Sequence, residues 1–271
     1  MTQTITSLTG FTGKIRAVTP ASDEVLLYRG HSRRRDYKLL PFILREQKFK
    51  DAEETILREL VASHPSEFSS DSSTLERLAR VQHYSLPTRL LDVTWNPLVA
   101  LYFAVNAHEG TTGEVIVFRI KKQHVKFFDS DAVSCVANLA HLKVAEKSAI
   151  DFALTGTAFN SQPPIDRLLQ FIKVEKPHFR SEINPADLKT VLCVKPKKNN
   201  PRLLAQSGAF LIFGMTDALD TTPVVEISIE RIQINGQKKS IIVKELDRMG
   251  IHDATMFPEI EKAALYIRRA L

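Results

Sequence analysis

The sequence predicts an α+β fold, with a mixed, mainly antiparallel sheet as its core and helices flanking it. Three observations predict it. Helix-periodic segments fill the first half of the chain, whereas strand-like segments cluster late, at 189–196, 208–214 and 224–234; that order argues against a doubly wound parallel sheet. A single strand-like segment, "LLYRG" at 26–30, stands apart near the start. Neither G-x-G-x-x-G nor G-x-x-x-x-G-K-[ST] occurs, so both common nucleotide cradles of α/β proteins are absent.

The elements follow in order. Residues 51–64 offer Asp51 as an N-cap and Ile56, Leu57, Leu60 and Val61 at helical spacing. "SSDSS" (69–73) reads as a loop that caps the next helix, 73–84, with Leu75, Leu78, Ala79 and Gln82 at matching intervals. Pro97 suits a first helical position, and 97–108 is apolar on nearly every side, which predicts a buried helix. Residues 113–122, β-branched or aromatic after a glycine, predict a strand. Residues 130–153 read as helical throughout. Residues 224–234 alternate with period two, Ser240 and Gly250 delimit a helix over 240–251, and 257–271 closes the chain as another.

With 271 residues, 44% hydrophobic and 25% charged, the chain can bury an ordinary globular core in one large domain or two small ones. No apolar run approaches the roughly 20 residues of a membrane helix, and the first residues lack the pattern of a secretory leader, so a cytosolic location is expected. Cys135 and Cys193 lie in apolar runs and read as buried free thiols. There is no H-E-x-x-H and no Cys/His cluster, so no metal is expected. The net charge of +6 suits a nucleic-acid or nucleotide-phosphate partner, although the surplus is spread over 33–35, 120–126, 195–202 and 236–240.

Three segments hold chemistry among core-like residues. In "LYRG", Arg29 ends a strand with a planar fork of donors suited to a phosphate or carboxylate, and Gly30 lets a ligand or a backbone come close. In 80–104, Gln82, His83, Arg89, Asp92, Thr94 and Trp95 interrupt an apolar passage. Arg89 and Asp92 read either as a paired, loop-ordering couple or as site groups. His83 reads as an acid–base group or a satisfied helix-end histidine, and Thr94 as a cap or a ligand contact. In 201–214, Gln206 is polar in apolar company.

Together these segments resemble the FRG domain family, named for an (F/Y)-R-G motif. Here that motif is Tyr28-Arg29-Gly30, followed by Gln82-His83, "PTRLLDVT" at 87–94, "PLVALYFA" at 97–104, a Q-x-G-x-F at Gln206, Gly208 and Phe210, and Phe257-Pro258. Val93 departs from the family, which commonly has an aromatic there. The resemblance implies an N-terminal extension at 1–21 and one FRG-like domain at 22–271. The order of segments is similar, more distantly, to the ADP-ribosyltransferase fold of the R-S-E type. That likeness implies that Arg29 binds the phosphates of NAD, taken as a substrate, with Tyr28, Gly30, Thr94 and Arg89 on the binding side. It implies that Gln206 falls where a catalytic Glu would be. A neutral amide cannot stabilise a developing cation as a carboxylate does, so Asp92, assisted by His83, is the candidate carboxylate. Glu259 is expected to be only a first-turn helix charge. The resulting expectation is an NAD-dependent transferase acting on a nucleic acid or protein, with a role in defence or toxicity implied by analogy. The alternatives are a non-catalytic nucleic-acid-binding or sensing module on the same fold, and a phosphoesterase using His83 with Asp92.

Overall fold

The computed structural model of the chain describes residues 4–216, 219 and 227–270. The chain runs α1 (Leu8–Ala17), β1 (Glu24–His31), α2 (Gln47–Asp51), α3 (Glu53–Ser63), α4 (Pro65–Phe68), α5 (Thr74–His83), β2 (Leu90–Thr94), α6 (Pro97–Val105), β3 (Gly113–Lys121), β4 (Val125–Phe127) and α7 (Asp131–Asn138). It continues with α8 (Val144–Ser148), α9 (Gly156–Asn160), α10 (Pro163–Glu175), α11 (Pro185–Leu188), β5 (Val191–Lys195), α12 (Pro201–Ala205), β6 (Gly208–Phe213), β7 (Ile227–Ile234), α13 (Lys239–Arg248), α14 (Asp253–Met256) and α15 (Ile260–Ala270).

The strands form one curled sheet of order β4-β5-β6-β2-β1-β3-β7, antiparallel except for the parallel pair β4–β5. Its two halves are unequally joined. β1 pairs with β3 over eight residues, and β2 pairs with β6 along its whole length. Between β1 and β2 the register holds one pair, Tyr28 opposite Thr94. Leu27, Ile116 and Phe118 of one half share an apolar cluster with Leu91, Val93, Val191, Leu211 and Phe213 of the other, so the inner face of the curl packs on itself. Helices cover the outer faces. α1, α6 and α13 pack on β1, β3 and β7, with Phe11 and Ala100 fully buried. α3, α5 and α7 pack on β2, β5 and β6 through Leu57, Leu78, Val136 and Phe210.

Two glycines set the depth of α6. A Cβ on Gly30 would lie 1.9 Å from the Ala100 carbonyl oxygen, and one on Gly113 would lie 2.5 Å from that of Ala104. Of the two reasons the sequence offers for Gly30, close approach of a backbone is the one observed, and that backbone is α6.

Several local expectations hold. Ser73 caps α5, accepting from the Glu76 amide at 3.3 Å. Pro97 opens α6, with Asn96 capping it at 2.9 Å. Gly250 takes the left-handed conformation just past α13, at φ +75°. Both cysteines are buried and free, and burial pushes their thiols up to about 12. Three expectations are corrected. Asp51 ends α2 rather than capping the next helix, because its carboxylate accepts from Gln47 one turn back, at 2.8 Å. Residues 130–153 are not one helix: the path breaks near Leu142, and α8 restarts where Glu146 accepts from the Lys143 amide at 2.7 Å. Ser240 lies inside α13, because the helix already begins at Lys239, whose buried ammonium donates to the carbonyls of Ser32 (2.6 Å), Ala107 (2.9 Å) and His108 (3.1 Å). The first residues of the 224–234 strand lie outside the described residues. Among the described residues, no helix is long and apolar enough to cross a membrane.

Gly30→Ala is expected to cost about 3 kcal/mol, because overpacking here meets backbone rather than a mobile side chain. The reference is Gly13→Ala on exposed α1, where an added Cβ meets nothing within 4 Å, and which should gain about 0.5–1 kcal/mol from helix propensity. Denaturant midpoints of the two variants check the pair. A second expectation concerns pH. Burial first, then the charges of Arg77 and Arg58, push the pKa of His141 down to about 4 from 6.5. The neutral ring is the folded form, so its stabilisation is complete above the unfolded value of 6.5 and is lost as pH falls towards 4. Urea midpoints should fall across that window, and His141→Asn should make the slope shallower without abolishing it, since burial also lowers His31 and His83.

Candidate functional site

Beyond the Tyr28–Thr94 pair, β1 and β2 part, and a cavity of about 150 Å³ opens where they do. Its walls include Tyr28, Arg29 and Gly30 from β1, Asp92 and Thr94 from β2, and Arg202 and Gln206 from around α12. The three segments singled out in the sequence therefore meet at one place. A smaller space of about 50 Å³ adjoins it, sharing Asp92, Arg202, Leu203 and Gln206 and adding Gln82 and His83. A third cavity, about 350 Å³, shares His83 and Arg202 and adds Arg80, Tyr84, Lys197 and Glu259.

Arg29 is half-buried and held from two sides. Its Nη1 donates to the Asp92 carbonyl oxygen at 2.5 Å, and its Nε donates to His31 Nε2 at 3.1 Å. The first bond stitches the two sheet halves just where strand pairing stops. The second fixes the tautomer of His31: with Nε2 accepting, Nδ1 carries the proton and donates to Glu114 Oε1 at 3.2 Å. Glu114 is fully buried on β3 and also accepts from Arg231 Nη1 at 2.7 Å. Burial pushes the Glu114 carboxyl up, but the His31 hydrogen bond and the Arg231 charge bring it net below its ordinary value. For Arg29 itself, burial works against the charge and the neighbouring Asp92 carboxylate supports it. The Glu114–His31 chain thus acts as a brace that aims the guanidinium.

The other sequence-derived residues divide into two groups. Asp92 is exposed and borders both smaller cavities. Tyr28 is buried against the α6 core, and burial raises its hydroxyl pKa. The Thr94 hydroxyl donates to the Gln206 carbonyl oxygen at 2.7 Å and accepts from the Asn96 amide at 3.0 Å, so it ties β2 to the turn before β6 while walling the cavity. Gln206 caps the C-terminus of α12 and precedes β6, and its Nε2 donates to the Met256 carbonyl oxygen at 3.0 Å. It stands two residues ahead of the strand, as the sequence places it.

Arg89 is the clearest correction. It neither pairs with Asp92 nor reaches the cavity. It is buried at the far end of β2, where its Nε donates to Glu53 Oε1 at 2.8 Å and its Nη1 to the Phe213 carbonyl oxygen at 2.7 Å. Lys147 completes the cluster, 2.5 Å from Glu53. Burial pushes Glu53 up, but Arg89 and Lys147 hold it net below the ordinary carboxylate value. Arg89 anchors the chain before β2 and does not line the Arg29 cavity.

His83 closes α5 half-buried, its Nε2 3.6 Å from Glu259 Oε1. Burial, then the Arg202 charge, lower its pKa, with Glu259 opposing. Glu259 precedes α15 and faces this histidine, so it is more than a first-turn charge. Arg202 went unnoticed in the sequence. Its guanidinium lies over the Phe257 ring at 4.8 Å, it makes no ion pair among the described residues, and it borders all three cavities. Its signal was its place, four residues before Gln206 in a basic segment. His31, Glu114 and Arg231 also went unnoticed, because their pairing needs adjacent strands. Among the described residues, no three His, Cys, Asp or Glu side chains are grouped to hold a metal ion.

The fold and this site define a mixed α+β protein with a narrow, arginine-bordered cleft where its curled sheet divides. Residues 24–112 match the family model of the FRG domain, and the chain carries an FRG domain over that segment. The match runs from β1 past α6 and takes in Arg29, His83, Asp92 and Thr94, but not Arg202, Gln206 or Glu259. No curated protein and no solved structure matches the chain.

The different standing of the two arginines is open to test. Arg89→Ala should cost about 3–5 kcal/mol, because it leaves Glu53 buried with Lys147 alone. It should not alter ligand affinity at the Arg29 cavity once measured below the melting range. Thermal unfolding and calorimetry on the same sample check both halves.

Proposed function

We propose that the cleft binds a phosphate-bearing nucleotide and that the protein is an NAD-dependent ADP-ribosyltransferase-like enzyme. One observation carries this reading: two guanidinium groups, Arg29 and Arg202, border the same cavity as the Asp92 carboxylate. Paired guanidiniums suit a pyrophosphate, because each offers a planar fork of donors to oxygen atoms. The carboxylate suits a reaction at a ribose C1, where positive charge develops as the leaving group departs.

The cavity has room for only part of NAD. A cavity of about 150 Å³ is smaller than the roughly 300–1,000 Å³ typical of whole-ligand sites. It suits one end of a dinucleotide, with the rest extending past Arg202 towards His83. The reading takes the sheet to be of ADP-ribosyltransferase type, supported by an arginine on a strand that diverges from its neighbour at the cavity. In this reading Arg29 binds phosphate from its His31 brace, Thr94 and Gln206 shape the wall, and Asp92 replaces the glutamate that Gln206 cannot replace.

Arg29→Ala should weaken NAD binding by about tenfold to a hundredfold, the value of a hydrogen bond to a charged group, with the circular dichroism spectrum unchanged. Asp92→Asn should keep the affinity and slow nicotinamide release by about a hundredfold or more. Calorimetry and a nicotinamide-release assay decide it; wild-type protein that shows no affinity for NAD ends the reading.

A further inference from the structure

His83 and Glu259 line the 350 Å³ cavity beside the cleft, and each carries a buried polar atom, His83 Nδ1 and Glu259 Oε2, without a hydrogen-bond partner among the described residues. They come from side chains that face one another, 3.6 Å apart at His83 Nε2 and Glu259 Oε1. With the His83 proton on the nitrogen that faces Glu259, both unpartnered atoms are acceptors. Buried acceptors are costly to leave unpaired, so the cavity calls for a ligand that brings N–H or O–H donors. The rim supplies different chemistry. Tyr84 is 47% exposed. Arg80 is held at the cavity by Asp71 at 2.7 Å and Lys197 by Glu76 at 2.8 Å, and Arg202 has its guanidinium over Phe257.

We propose that this cavity is a subsite for an unpaired nucleobase of a single-stranded nucleic acid, one with an amino group on its edge. Glu259 and His83 accept from the base edge, as carboxylates accept from the amino group of cytosine. Tyr84 stacks on the base, and Arg80, Lys197 and Arg202 take the flanking phosphates. A basic peptide would also bring N–H donors, but these three cations oppose it. As the acceptor subsite of the enzyme this rests on the transferase reading above. There the bond from C1 of the ribose to nicotinamide breaks, nicotinamide leaves with the electron pair, the base nitrogen bonds to C1, and its displaced proton passes to Glu259. As a binding site it does not depend on that reading.

The test is fluorescence anisotropy with labelled oligo(dA), oligo(dC) and oligo(dT) across a salt series, alongside NAD calorimetry on the same proteins. Wild type should prefer oligo(dA) or oligo(dC) to oligo(dT), which lacks the amino group, by about tenfold. Glu259→Gln should erase that preference and leave the salt slope intact. Tyr84→Ala should weaken all three by about tenfold, while Tyr84→Phe, which keeps the stacking ring, should bind as wild type does. Arg202→Ala should lower the salt slope by about one. Equal affinity for the three oligonucleotides, indifference to Glu259→Gln and Tyr84→Ala, or tighter binding of a Lys/Arg-rich peptide overturns the subsite. If the oligonucleotide results hold while wild type ignores NAD, the base subsite stands and the transferase reading falls. If NAD binds and the oligonucleotide results fail, the reverse holds.

Discussion

The structure depends on one strand pair. Among the described residues, Tyr28 opposite Thr94 is the sole register position joining β1 to β2, and so the sole ladder contact between the two halves of the sheet. A full ladder there would leave no cavity, and no ladder would let the halves separate. The chain meets both demands by changing the kind of bond at the point of divergence. One step past the pair, the Asp92 carbonyl takes its hydrogen bond from the Arg29 side chain instead of a strand amide. A guanidinium reaches further than a backbone N–H and bonds in more than one direction, so the same group closes the backbone and borders the opening. Thr94 does the corresponding work on the other side, tying β2 to the carbonyl of Gln206.

α6 makes that arrangement rigid. It is apolar almost all round and is pressed onto β1 and β3 where Gly30 and Gly113 present no side chain. Its first turn follows directly from β2, and its far face meets the C-terminal segment, where Phe257 packs edge-on against Phe103 at 6.0 Å. Phe257 in turn lies under Arg202. The run of contacts from Gly30 through α6 to Phe257 places the second arginine relative to the first, although they are far apart in the chain.

Charge is distributed according to burial. Arg89, Glu53 and Lys147 satisfy one another in the interior, and Glu114 is met by His31 and Arg231. Buried ions left single would cost several kcal/mol each, which is why these clusters contain both signs. At the cleft the pairing is incomplete by design of the geometry: Arg202 has a ring rather than a carboxylate, and His83 and Glu259 each keep an unpartnered atom. Among the described residues, Arg202 lacks the carboxylate partner that the interior Arg89 has, and that difference in pairing sets the two arginines apart more sharply than residue type does.

The amino-acid sequence by itself determined the elements whose signals are local. Proline and asparagine at the start of α6, Ser73 before α5, the apolar run of β3 and the glycine after α13 each act within a turn or two, so they can be read without knowing what packs against them. It also picked out Arg29, Asp92, Thr94 and Gln206 as candidate residues, and these border one cavity. Tertiary structure alone decided how those groups are used. Arg89 and Arg29 look alike in the chain, yet one neutralises Glu53 and the other braces on His31, because partners on other strands and helices choose between them. Asp51, Lys239 and Glu259 took roles that local rules did not assign, each drawn by a group distant in the fold or by a helix-face neighbour. Periodicity reports burial along one element; hydrogen bonds and ion pairs between elements depend on where the curled sheet brings them, and that is set by packing across the whole chain.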